Sequence, residues 1–165
     1  MHVELNLLLS THFEGWHEMA FPNEINHHGI YNGINLAGLD LPRLILALRD
    51  DPSLTIPAFL GKEETFYKVL VPNSPYFELP RRYPWMMEEA PNEKPASWEV
   101  SFARSGLPLH LAPSSHVVGT PELSFLKSGP VDARYLTRDV VTGRGSSAHL
   151  TGSGRGLMRL LIFPD

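Results

Sequence analysis

GRGSSAHLTGSGRG (residues 143–156) runs straight into LMRLLIF (157–163), and the reading of this passage decides the fold. The second part is apolar on both faces except at Arg159, the pattern of a central strand. The first part holds five of the thirteen glycines and two arginines, and reads as a loop. Glycine lets one backbone approach another closely and expose its amides. Such amides, flanked by arginine, cradle phosphate oxygens without reading sequence. The plain alternative is a flexible hairpin between two strands. A Walker loop is excluded, because no Gly-Lys-Ser/Thr follows. A Rossmann fingerprint is excluded too, because a strand is expected where that motif needs a helix.

Upstream of this passage, 133–141, 123–126 and 107–111 read as short strands, and Trp98, Val100 and Phe102 alternate as in a strand with one buried face. Residues 66–71 read as another strand. The first strand is expected at 3–9, where Val3, Leu5, Leu7 and Leu9 alternate with His2, Glu4, Asn6 and Leu8. One helix stands out at 41–49. Asp40 caps it, Pro42 fits its first turn, Leu41, Leu44, Ile45 and Leu48 share a face, and Asp50-Asp51-Pro52 ends it. Residues 10–38 show no sustained period but carry Phe13, Trp16, Phe21, Ile30 and Tyr31, which suggests an ordered loop. Residues 72–95 hold six of the fifteen prolines and cannot form a continuous helix or a central strand. Their Tyr76, Phe77, Tyr83, Trp85, Met86 and Met87 point to a long arm packed on the domain or on a partner. The sum is an α+β, strand-rich single domain spanning 1–165, with the proline-rich arm inside it.

Gly143-Arg144-Gly145 and Gly152-Ser153-Gly154, two Gly-x-Gly units near the C-terminus with basic residues between and after them, resemble the glycine-rich loop of RAMP-type CRISPR RNA-binding proteins. That resemblance implies a ferredoxin-like, RRM-type fold in which Leu157-Met158-Arg159-Leu160 forms the strand after the loop. It also implies guide-RNA binding or processing. The opening strand and the helix at 41–49 would then be a first β-α unit. Some such nucleases carry a processing histidine near the N-terminus, which makes His12, His17, His27 and His28 eligible here.

The totals narrow the function classes. With 42% apolar and 19% charged residues the chain buries a core and is not disordered. It has no cysteine, so disulfides, thiolate metal sites and thiol nucleophiles are excluded. No apolar run reaches the length of a membrane span, and the start lacks a basic n-region. The expectation is a cytoplasmic protein that does not enter the membrane. The net charge of −4 is asymmetric. From Lys127 onward, Lys127, Arg134, Arg138, Arg144, Arg155 and Arg159 face only Asp132, Asp139 and Asp165, whereas the preceding part is acidic. Arginine suits planar recognition of phosphate.

Arg134, Arg138, Gly143, Arg144, Gly145, Gly152, Gly154, Arg155 and Arg159 are therefore the expected nucleic-acid-binding residues. In the arm, Arg81 and Arg82 lie among Tyr76, Phe77, Tyr83 and Trp85. Aromatic faces stack on unpaired bases while arginine meets phosphate, but the same residues suit a protein interface, which Glu88, Glu89 and Glu93 favour. Arg81, Arg82, Tyr83 and Trp85 are the expected partner contacts.

Enzyme motifs are incomplete. His12 and His17 stand five apart, unlike a His-Glu-x-x-His helix, and His27 and His28 are adjacent, so no metal site or cofactor is assigned. Ser114-Ser115-His116 and Ser146-Ser147-Ala148-His149 place serine near histidine without a nucleophile elbow. Three functions follow, in this order: an RNA or other nucleic-acid-binding subunit of a larger complex, a structural or inhibitory protein acting by contact with protein subunits, and a histidine-based enzyme.

Overall fold

The computed structural model describes residues 3–165. The first strand is β1 (Asn6–Leu8), shorter than expected, and it pairs antiparallel with β2 (Leu36–Gly38) in a sheet of its own. Between them, where an ordered loop is expected, lies the helix α1 (Phe13–Ala20), followed by 3-10 turns at Gly29–Tyr31 and Gly33–Asn35. No side chain caps α1, and Gly15 weakens it. It forms because Phe13, Trp16 and His17, spaced i, i+3 and i+4, are all buried. Burial of each large ring stabilises by about 1.5–3 kcal/mol, more than the local propensity withholds.

The helix α2 (Leu41–Asp50) matches its sequence signals. Asp40 caps it by accepting from the Arg43 amide at 3.0 Å, and Pro42 sits in the first turn. Leu44 is buried; Ile45, expected on the same face, is 56% exposed. A short helix, α3 (Ile56–Leu60), follows and is capped by Thr55.

Four strands then build the main sheet: β3 (Tyr67–Pro72), β4 (Ser97–Phe102), β5 (Pro108–Ser114) and β6 (Glu122–Leu126). Their order is β5-β4-β3-β6, antiparallel throughout. Three consecutive strands lie side by side and the fourth returns beside the first, which is Greek-key order. A ferredoxin-like, RRM-type domain instead inserts another strand between the two that its helix joins. The expected ferredoxin-like order is thus not the one adopted, and β1 stands outside the four-stranded sheet. Tyr67, Val69 and Val71 pair across β3 and β4 with Phe102, Val100 and Trp98, and these six make the buried face. The arm between β3 and β4 packs on the domain: α4 (Leu79–Arg82) and the 3-10 turn Pro84–Met86 bury Leu79 and Met86, with Phe77 just ahead of them.

The C-terminal part departs most from expectation. The expected strand at 133–141 is α5 (Ala133–Leu136), then a turn in which Arg138 (φ 52°) and Asp139 (φ 66°) are both left-handed. A left-handed non-glycine residue costs about 1–2 kcal/mol. The turn is held by Asp139 N–H to Arg134 O, Val140 N–H to Thr137 O, and the buried Thr137 hydroxyl bonded to Ala133 and Val141. Only β7 (Val141–Thr142) is extended, pairing with β8 (His149–Leu150). The expected strand at 157–163 is also absent, because α6 (Gly152–Leu160) occupies most of it. Thr151 caps α6 through the Gly154 amide at 2.9 Å, and Gly154, Met158, Leu160, Leu161 and Ile162 are buried. The apolar run reads as two-faced because the helix and its last turn are buried on several sides at once.

The class is α+β, but 32% of residues are helical against 21% in strands, so the expected excess of strand is reversed. Buried residues from Leu7 to Ile162 form one contiguous cluster. Among the described residues, no helix is long and apolar enough to cross a membrane.

Candidate nucleic-acid interface

Thr151 joins the left-handed turn to the head of α6. Its amide donates to Val140 O at 3.0 Å, and its hydroxyl bonds to Asp139 O while accepting from Gly154. The helix begins immediately after it. The amides of Gly152 and Ser153, the first two helical residues, have no carbonyl within the helix to reach, and the helix dipole places partial positive charge there. Both residues are exposed. Arg134, Asp139, Thr142, His149 and Arg155 complete the wall of a recess of about 330 Å³ around them.

The side chains in this recess are only partly committed. Arg155 Nη1 donates to Leu150 O at 2.9 Å, which fixes the guanidinium beside the helix head. Arg134 Nε pairs with Asp139 Oδ1 at 2.6 Å; that oxygen is buried, while the Arg134 side chain is otherwise exposed. His149 Nδ1 lies 2.9 Å from Ser147 O, so that nitrogen donates and Nε2 has no partner among the described residues. Two guanidinium groups and the two amides therefore line the recess together with the Asp139 carboxylate, while His149 Nε2, the acceptor nitrogen of the neutral ring, adds no donor. No protein-family model, no curated protein and no solved structure matches this chain.

Of the nine expected binding residues, the recess gathers Arg134, Gly152 and Arg155. Gly143, Arg144 and Gly145 line a separate crevice beside Phe66 and Lys127. The glycine amides differ from the expected cradle. Gly143 donates to Asp132 Oδ1 at 3.0 Å and Gly154 donates to Thr151, so both serve the fold. The amides of Arg134 and Gly143 hold the Asp132 carboxyl below the usual carboxylate range. Arg159 lies one turn after Arg155 on the same exposed face of α6. Arg138 faces a different and larger cleft.

Tyr135 is absent from the expected set, yet among the described residues it is the most exposed large hydrophobic side chain, at 81%. It sits in α5 next to Arg134. Reading 133–141 as a strand hid it; Asp132 ahead of Ala-Arg-Tyr-Leu was the available signal, as an N-cap whose carboxylate accepts from the Arg134 amide at 2.9 Å.

The arm residues divide. Arg82 donates to Leu8 O at 3.1 Å and to Glu78 at 2.6 Å, and Tyr83 Oη accepts from Leu8 N–H at 2.8 Å. Both bind the protein's own β1. Arg81 is exposed and pairs with Glu78 at 3.1 Å, while Trp85 is half-buried against Tyr83. Arg82 and Tyr83 are thus tied to the fold and, like Trp85, half-buried, while Arg81 is the exposed one of the four.

The histidines do not converge. His12 meets the edge of Tyr76, His17 is buried beside Phe13 and Phe21 with no partner for Nδ1, and His27 and His28 are exposed. His2 lies outside the described residues. Among those described, no three His, Asp or Glu side chains are placed to hold a metal ion. Neither serine is held by its neighbouring imidazole: His116 donates its backbone amide to Ser114 Oγ, and His149 meets the Ser147 carbonyl.

Proposed function

We propose that the protein is a cytoplasmic subunit of a larger complex that binds single-stranded RNA or another nucleic acid across α5, the β7–β8 hairpin and the head of α6. The observation that carries this reading is that Arg134, Arg155 and the Gly152 and Ser153 amides line one recess, with the exposed ring of Tyr135 next to Arg134 along α5. A phosphate in the recess accepts from the two amides and from Arg155. The Nη groups of Arg134 add a charge-assisted bond to the phosphate while its Nε stays paired with the buried Asp139 Oδ1. Tyr135 offers a face for an unpaired base, a contact of about 1–3 kcal/mol. Arg144 and Arg159 extend the positive surface on either side. None of these groups reads a base edge, so the binding is sequence-tolerant.

The test is the affinity for a fluorescent oligouridylate at two salt concentrations, for the wild type and for Arg155→Ala and Tyr135→Ala. Neutralising several phosphates gives a log–log salt slope of about −0.7 per phosphate on a single strand. Each substitution is expected to weaken binding about tenfold, within the range of one stacked base. Absence of binding at low salt, or binding indifferent to both substitutions, rejects the reading.

A further inference from the structure

Residues 21–35 carry the chain from α1 to β2, and asparagine side chains hold them in shape. Asn26 donates to Gly29 O at 2.9 Å and accepts from the His28 amide at 3.2 Å. The buried Asn35 donates to Ser10 O and to Ile30 O, both at 2.8 Å, which ties the loop to the chain just after β1. Asn32 caps the 3-10 turn Gly33–Asn35. Its Oδ1 accepts from the Ile34 amide at 3.0 Å, and its Nδ2 donates to Asn26 Oδ1 at 3.3 Å. Of the seven asparagines in the chain, Asn32 alone is followed by glycine.

An asparagine before glycine is open to attack by its own backbone. The nucleophile is the amide nitrogen of the next residue, which closes a five-membered ring on the side-chain carbonyl carbon. Gly33 N–H is free for this, since it opens the turn and donates to no group among the described residues. Gly33 is exposed, and no atom lies within 4 Å of where its β-carbon would stand, so nothing crowds the approach. Ring closure turns Asn32 away from its extended ψ of 141° and releases the Ile34 bond. The two bonds that oppose this turn are neutral, one of them exposed and the other long at 3.3 Å, and such bonds are worth little net in water. Glycine at 33 adds the least backbone resistance of any residue.

We infer that Asn32 deamidates spontaneously, through a cyclic imide with Gly33, and gives this loop an added carboxylate. The Gly33 nitrogen forms a bond to Asn32 Cγ and loses its proton to water. The Cγ–Nδ2 bond breaks, and Nδ2 takes up a proton and leaves as ammonia. Water then opens the imide. Attack at Cγ gives aspartate with the backbone unchanged, and attack at the main-chain carbonyl gives isoaspartate, with the backbone rerouted through the side chain. Nothing is oxidised or reduced, and water is the co-reactant. Aspartate keeps an acceptor for the Ile34 amide but loses the donor to Asn26; isoaspartate also lengthens the chain ahead of the buried Asn35. This chemistry is independent of nucleic-acid binding at α6.

Prolonged incubation of the folded protein at mildly alkaline pH, followed by isoelectric focusing and peptide mass mapping, tests it. An acidic charge variant is expected to accumulate. The peptide that contains Asn32 should gain the mass of O exchanged for NH, separate into aspartyl and isoaspartyl forms, and outpace every other asparagine peptide at least tenfold. Gly33→Ala has room for its methyl group and no left-handed φ to oppose it, so it should keep the thermal midpoint while slowing the conversion at least tenfold. The chain unfolded in denaturant is the reference. Conversion at Asn32 there but none in the folded protein would show that the cap locks the side chain, and overturns the inference. Equal conversion in Gly33→Ala, or an acidic variant whose altered peptide lacks Asn32, overturns it as well.

Discussion

Gly154 packs so tightly on Val140 that a β-carbon at Gly154 would stand 2.0 Å from the Val140 carbonyl oxygen. The neighbours it would strike are backbone atoms, which cannot rotate aside. In an exposed helix, alanine in place of glycine stabilises by about 1 kcal/mol. Here Gly154→Ala is expected to destabilise by about 3 kcal/mol, the upper end of overpacking. Gly156, in the same helix with nothing near its absent β-carbon, is the control, and Gly156→Ala should stabilise by up to about 1 kcal/mol. Denaturant titration of both variants measures the difference. Two equal stabilisations would show that α6 does not lie against the left-handed turn.

The same contact explains why the sequence misleads at this end. α2 was legible because Asp40, Pro42 and the apolar positions agree, and β3 and β4 were legible because their alternation agrees with a half-buried sheet. α6 begins with Gly-Ser-Gly-Arg-Gly, whose propensity argues for a loop, and tertiary packing of Gly154 and Met158 overrides it. The overlooked signal was Thr151 as a cap, with Arg155 and Arg159 four apart on one face. α1 was hidden for a related reason, since His12 caps nothing and Gly15 interrupts a pattern that only Phe13, Trp16 and His17 sustain. The basic C-terminal part was legible as a charge asymmetry. Which of its arginines converge was not, because that depends on the left-handed turn at Arg138 and Asp139, which sends adjacent side chains into different depressions.

Glu78 ties the arm to the start of α1. Burial opposes its ionisation, but bonds from the Thr11 amide and hydroxyl and the charge of Arg82 prevail, holding its carboxyl below the usual range. A lowered folded value means that this stabilisation is complete above the ordinary glutamate range and fades as pH falls through it, below about 4. Glu78→Gln should cost about 3 kcal/mol at neutral pH, as for breaking a buried pair. The gap between wild type and variant should narrow in acid. A gap independent of pH would show that the charge does not hold the arm.

Tyr67 is fully buried against Phe102, with ring centroids 5.0 Å apart, and its hydroxyl has no partner. Burial pushes the phenol above its ordinary value, so the folded state keeps its proton while the unfolded chain ionises. Stability from this group is present below about pH 10 and is lost as pH rises beyond it. Tyr67→Phe removes an unsatisfied polar atom at nearly constant shape and should stabilise by about 1 kcal/mol at neutral pH. It should also resist alkali better than the wild type. A loss of stability would reveal a hydrogen bond to the hydroxyl.

Asp132 sets the candidate interface against the fold. Its carboxylate accepts from the amides of Arg134 and Gly143, capping α5 and closing the loop before Arg144. Those bonds lower its pKa, so it stays charged at neutral pH and sits as an anion within the basic C-terminal part. It thereby occupies the Gly143 amide that a phosphate would otherwise use. Asp132→Asn keeps the side-chain shape and one acceptor oxygen but removes the charge. The thermal midpoint is expected to fall, because a neutral oxygen accepts the two amide bonds less strongly. Affinity for oligouridylate should rise about threefold to tenfold at low salt, since one repulsive charge is removed near Arg134 and Arg144. That gain should shrink as salt screens the charge. Thermal melts and binding curves on the same sample separate the two effects. Lower stability without tighter binding would mean that nucleic acid does not approach this side of α5.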